Sequence, residues 1–179
     1  ANGQILGTKD FVAHSGTVYD YHTHGTAVLS TMGANVPGQM VGTAPHADYW
    51  LLRTEDGASE YIIEEYNWVS GAEYADSAGA DVINSSLGYT TFDDALQDHS
   101  YEDMDGNTTP ITIGADIAAD KGMLVVNSAG NSGNDSWYYI GAPADGNYVF
   151  SIGAVDADGN LASFSSRGPT YDGRIKPNV

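Results

Sequence analysis

Met123-Leu124-Val125-Val126-Asn127-Ser128-Ala129-Gly130-Asn131 is the stretch that decides the fold. A short apolar run without polar alternation reads as a strand covered on both faces, the habit of parallel sheets. It stops abruptly in small residues and a Gly-Asn pair. Working outward, comparable runs at 48–53, 81–85 and 148–155 read as further strands. Between the first two, Ile62, Tyr66, Val69 and Ala72 recur three or four apart and predict one apolar helical face over 60–78, closed by Gly79. Ile113 and Ile117, with Lys121-Gly122 as a stop signal, predict a helix over 108–121, and another is expected at 25–32. Alternating strands and helices imply right-handed βαβ units, hence a three-layer α/β fold with a mainly parallel sheet. In such sheets the working residues sit beyond the carboxyl ends of the strands, which directs attention to 54–59, 86–89 and 129–133.

The 179 residues fit one domain, so 1–179 is read as a single unit. The absence of cysteine excludes disulfide scaffolds and thiolate metal sites. With 24 acidic against 6 scattered basic side chains, a net charge of -18, there is no basic cluster for nucleic acid or an anionic membrane. No stretch has the roughly 20 apolar residues that cross a bilayer. The charge reads as a soluble acidic surface, because only 17% of residues are charged while 41% are apolar. The phosphate-binding glycine loops of nucleotide enzymes, the Gly-x-Ser-x-Gly elbow and the His-Glu-x-x-His zinc motif do not occur.

Four blocks remain. His24-Gly25-Thr26-Ala27-Val28 sets a histidine at the entrance to an apolar helix. Val82-Ile83-Asn84-Ser85-Ser86-Leu87-Gly88 and Asn127-Ser128-Ala129-Gly130-Asn131 each run from a strand into a small-residue loop. Ala162-Ser163-Phe164-Ser165-Ser166-Arg167-Gly168-Pro169 follows the last strand. Singly, each block is ordinary turn or strand-end chemistry. In this order, from about His22 to Pro177, they resemble the subtilisin-like serine proteases.

The resemblance implies a subtilisin-like fold and peptide-bond hydrolysis. His24 matches the general base, a role an imidazole titrating near neutrality performs. Asn131 matches the side-chain donor of the oxyanion hole. Ser86, Leu87 and Gly88 match the strand that pairs with substrate and forms one wall of the primary specificity pocket. Ser128, Ala129 and Gly130 match the other wall, so a peptide or protein substrate would bind by strand addition. A second substrate edge is expected near 57–59, where Glu55, Asp56 and Glu60 raise a preference for basic residues against the plainer reading of a solvated rim. The resemblance also implies a bacterial-type protein, secreted or at the cell surface.

Two expected pieces do not appear. The family's nucleophile lies in Gly-Thr-Ser, downstream of the Ser-Ser-x-Gly-Pro block, and its orienting acid in Asp-Ser/Thr-Gly, ahead of the histidine. Neither motif is present in those positions. Asp10 and Asp20 lack the following Ser/Thr-Gly and stand too close to His24, and Ser85, Ser86, Ser128, Ser132 and Ser165 match binding or structural positions. The expectation is therefore a central portion of the catalytic domain, incomplete at both ends and inert by itself. Missing triad segments or a second copy would then complete the sheet. A noncatalytic peptide-binding or structural module of the same fold is the alternative. No cofactor is needed for the chemistry. Asp103-x-Asp105-x-Asn107 resembles the first ligands of a calcium loop, but Gly106 comes too early and Gly114 stands where a closing Glu is needed. A structural calcium ion and a merely solvated acidic loop both stay open.

Overall fold

The computed structural model describes residues 3–14 and 16–179. The chain divides into two compact units, Ala1–Ser59 and Glu60–Val179. The first holds β1 (Ile5–Asp10), α1 (His24–Gly33), β2 (Asn35–Val36), β3 (Met40–Val41) and β4 (Tyr49–Arg53). β1 pairs parallel with β4, with Thr8 opposite Leu51 and Asp10 opposite Arg53. The sequence gives little warning of β1, because Gly7, Thr8 and Lys9 interrupt any apolar run; its partner β4 supplies the bulk. The ladder ends in a fixed ion pair. The Asp10 side chain is 1% exposed and accepts from Arg53 at 3.0 Å and from the Val12 and Ala13 N–H groups. Burial alone pushes this carboxyl up, but those hydrogen bonds and the Arg53 charge outweigh it and hold it below the usual aspartate range. α1 forms where expected yet buries none of its residues, and β2 and β3 make a small antiparallel hairpin.

The second unit contains α2 (Ile63–Ser77), β5 (Val82–Ser85), α3 (Pro110–Asp120), β6 (Leu124–Ser128) and β7 (Phe150–Ile152). The three strands lie in the order β5-β6-β7, all parallel, with Ser85 opposite Asn127 and Asn127 opposite Ser151. α3 packs against both α2 and β6. It starts on Pro110 behind Thr109, whose side chain caps the Thr112 N–H, an arrangement that suits proline's missing donor. β7 is shorter than the expected 148–155. The Asn147 and Tyr148 N–H groups instead donate to the Asp116 carboxylate on α3, and Val155 turns to bridge Leu161.

The inward face of α2 overlaps the anticipated one only in part, with Ala72 buried and Val69 half-buried as expected. Tyr66 is exposed, while Glu64, Glu65, Trp68, Gly71, Ala72 and Ala75 are buried. Two carboxylates therefore take positions that hydropathy assigns to water. Glu65 is fully buried. It receives the His99 ring at 2.5 Å and the Ile111 N–H of α3 at 3.1 Å. Trp68 donates its indole N–H to Ser85 at the end of β5. Among the described residues, no helix is long and apolar enough to cross a membrane.

Candidate active site

Ser85 and Asn127 are neighbours in the ladder, so the loops leaving β5 and β6 start side by side. Buried Asn127 holds them together. Its side-chain amide donates to the Leu87 carbonyl at 2.9 Å and to the Ser128 carbonyl at 2.8 Å. Ser86-Leu87-Gly88 and Ser128-Ala129-Gly130, the two segments expected as facing walls, are thereby linked through one side chain. Beyond Gly88, Tyr89 exchanges backbone hydrogen bonds with Ala142. Among the described residues, Gly88 itself gives and accepts no backbone hydrogen bond within the chain, so this extended edge is open to an added strand. Ala129 is 1% exposed and packs with Ile140 and Ala144. It contributes its backbone to the wall and anchors the loop in the core.

The turn carrying Asn131 is knitted to the Ser163–Ser166 segment. Ser166 donates its N–H to Gly130 O, and its hydroxyl accepts from the Ser132 N–H at 2.9 Å. The Gly133 N–H donates to Phe164 O. Gly130 has φ +105, and a Cβ there would stand 2.8 Å from the Ser166 hydroxyl. At Gly133 a Cβ would stand 2.2 Å from the Ser165 carbonyl oxygen. Only glycine allows so close a seam. The result is a rigid turn presenting an exposed Asn131 whose amide makes no hydrogen bond among the described residues. A preset, unspent donor is what stabilisation of a developing oxyanion needs.

His24 belongs to the first unit, as the first residue of α1. Its ring is exposed, its N–H donates to His22 Nδ1, and the two rings stand edge to face at 6.4 Å. In the same unit 57–59 is a turn, closed by the Ser59 N–H on Asp56 O. It is not the extended edge expected there. Of the five serines set aside as nucleophiles, Ser85 accepts from Trp68 and Ser165 Oγ accepts from the Ala154 N–H. Asp10 is committed to β1 and β4, as described above.

Asp103, Asp105 and Asn107 spend their groups on their own loop. Asp103 accepts from the Ser100 N–H and hydroxyl. Asp105 accepts from the Asn107 N–H and the Thr108 hydroxyl. Asp145 lies beneath, accepting from Gly106 N–H and the Thr112 hydroxyl. Burial pushes its carboxyl up, against the opposing pull of those hydrogen bonds. Asn178 accepts from the Ser151 N–H of β7 and from Lys176 Nζ at 3.0 Å. Burial, and then the charge of Arg174, holds the Lys176 ammonium below its usual range. The roles of Asn127, Ser166 and Glu65 were not assigned from sequence. Their partners lie 34 to 46 positions away, and no local pattern encodes such distances.

Parallel strands with tight glycine-rich turns at their carboxyl ends, backed by helices, define an α/β protein of the subtilisin-like fold. The chain belongs to the subtilase family, whose model matches residues 6–179. It is 34% identical to the serine protease AprX of Bacillus subtilis (strain 168), over 99% of this chain and 41% of that protein. To subtilisin DY of Bacillus licheniformis it is also 34% identical, over 92% of this chain and 55% of that protein. Among solved structures it resembles MycP1 with its N-terminal propeptide removed, with a TM-score of 0.64 at 23% identity, covering 90% of this chain and 55% of that one. The prenylagaramide maturation protease PagA gives a TM-score of 0.63 at 21% identity, covering 84% and 48%. The chain thus spans about half the length of the proteins it matches.

Proposed function

We propose that the chain is the core portion of an exported serine endopeptidase, supplying the general base and much of the substrate cleft. In this reading an extended peptide adds to the open edge at Ser86–Gly88 and lies against Ser128–Gly130. His24 takes the proton of the nucleophile and returns it to the leaving amine. Asn131 donates to the tetrahedral oxyanion. The observation that carries the reading is the Asn131 turn, held in place by Ser166 and two glycines while its amide is left unspent. The sequence holds no Gly-Thr-Ser motif, so the 179-residue chain by itself is proposed to be inert. The open edge of β5 and the uncovered α1 fit completion by further segments or by a second copy.

The test is a kinetic comparison of the full-length protein with its Asn131→Ala variant on a peptide substrate. Expected is a fall in kcat of about 10²–10³-fold with KM little changed, the range established for losing one oxyanion donor in enzymes of this family. An unchanged kcat would remove Asn131 from the chemistry. A full-length protein that binds peptides without cleaving them would favour the noncatalytic module. For the loop at 93–107 we favour self-capping over calcium, because Asp103 and Asp105 already accept from their own loop. Chelation is then expected to leave the melting temperature unchanged, and a fall on chelation would restore the calcium reading.

A further inference from the structure

A cleft of about 330 Å³ opens beyond the two walls, lined by Thr90, Thr91, Ser132, Asp135, Ser136 and Trp137. We infer that it receives a lysine or arginine side chain of the bound peptide, with Asp135 as the specificity-determining residue. The inference rests on the peptide-binding reading above. Its own support is the chemistry of the lining.

Five of the six residues offer a hydroxyl or an aromatic face, and Asp135 is the one ionised group among them. The Asp135 N–H closes a turn onto Ser132 O at 2.9 Å. Its carboxylate, in contrast, has no hydrogen-bond or ion-pair partner among the described residues. No lining residue is cationic. Trp137 is half-buried, and its ring is pinned by an indole hydrogen bond to the Ile140 carbonyl at 3.0 Å. A fixed indole next to an uncompensated carboxylate suits a cation on a long aliphatic stem: the stem lies along the ring, the charge meets both ring and carboxylate, and the hydroxyls take remaining donors. A neutral apolar side chain would desolvate the carboxylate without replacing its water, and an acidic one would be repelled.

The cleft is also placed to read a peptide. Thr90 and Thr91 continue the segment that begins at Ser86–Gly88, and Ser132 follows Asn131 directly. A side chain from a strand paired along the first segment would therefore reach between that segment and the loop that carries Asn131. The net charge of -18 adds a long-range field that draws cationic peptides.

The experiment uses the full-length protein with peptides that differ at one position at a time before the scissile bond, carrying Lys, Arg, norleucine or Glu. An exposed ion pair contributes up to about fivefold, and contact with the Trp137 face raises this to about tenfold. Lys and Arg peptides are thus expected to exceed norleucine by about tenfold in kcat/KM at one position, with the ratio collapsing in Asp135→Asn. Cleavage without a cationic preference, or a preference that survives Asp135→Asn, would overturn this assignment while leaving the protease reading intact. A protein that cleaves none of the peptides fails the protease reading instead, and the cleft is then decided by titrating agmatine against tryptophan fluorescence. Saturable quenching that disappears in both Asp135→Asn and Trp137→Phe supports the cleft. No response, or one that persists in Asp135→Asn, overturns it.

Discussion

Replacing Glu65 by alanine removes a carboxylate that no water reaches. One oxygen holds the His99 ring at 2.5 Å, and the other accepts the Ile111 N–H in the first turn of α3 at 3.1 Å. Pro110 has no N–H, so Ile111 carries the first backbone donor of that helix, and Glu65 also sits at the favourable end of its dipole. Alanine would leave the Ile111 N–H buried without an acceptor, at about 1–3 kcal/mol. It would also strand the His99 side chain, which is 9% exposed. With the His99 hydrogen bond lost as well, the total comes to about 2–5 kcal/mol. We expect Glu65→Ala to lower unfolding stability by that amount and Glu65→Gln to lose about half as much, since an amide still accepts from Ile111. Urea unfolding at pH 7 would read this as a lower midpoint at unchanged slope. The effect should extend to function. His99 donates its backbone N–H to Thr90 O and stands edge to face on Phe92, so the pair also pins the segment that bounds the proposed substrate cleft, and KM should rise before kcat changes. A loss below about 1 kcal/mol, or strict additivity of Glu65→Ala and His99→Ala, would refute the buried pair as a structural fastener.

Four other outcomes follow from the same structure. The Asp10 carboxyl is held below its unfolded value, so its contribution is complete above about pH 4 and is lost as pH falls through the lower folded value; Arg53→Met should reduce that acid dependence. Asp145 has the opposite sign: its raised carboxyl contributes stability that is present in acid and lost as pH rises through the folded value, so Asp145→Asn should flatten the stability profile above about pH 4. Asn178→Asp puts a carboxylate on buried Lys176 and should raise stability by about 1 kcal/mol in thermal unfolding, with the gain absent when Lys176→Met is combined with it. Gly133→Ala forces the Asn131 turn away from the Ser165 carbonyl and should reduce kcat by about 10²-fold in a peptide assay, a displacement effect on the oxyanion donor.

Much of the second unit was legible because its strands are apolar throughout and its helices end in recognisable stops. β5 and β6 fall at Val82–Ser85 and Leu124–Ser128, and α3 at Pro110–Asp120, each within two residues of the expected limits. β1 was not legible, since Gly7, Thr8 and Lys9 carry no apolar signal and the strand exists through its pairing with β4. The face of α2 was misjudged at Tyr66 and at the two glutamates, because hydropathy cannot know that Glu65 finds His99 and Ile111 inside. At the candidate site, the motifs pointed to the residues proposed, while the bonds that hold those segments, Asn127 to Leu87 and Ser166 to Ser132, are long-range facts of the fold. The turn at 57–59 shows the converse, a segment whose role was inferred from its neighbours and whose backbone closes on itself.

His24 is proposed as the base of a serine protease whose cleft this chain supplies. Fluorophosphonate labelling of the full-length protein tests it most directly, because the probe reports an activated serine. Expected are stoichiometric labelling of the wild type, loss of labelling in His24→Ala by several orders of magnitude in rate, and none of the 179-residue chain alone. Labelling that survives His24→Ala at the wild-type rate, or stoichiometric labelling of the isolated chain, would contradict it.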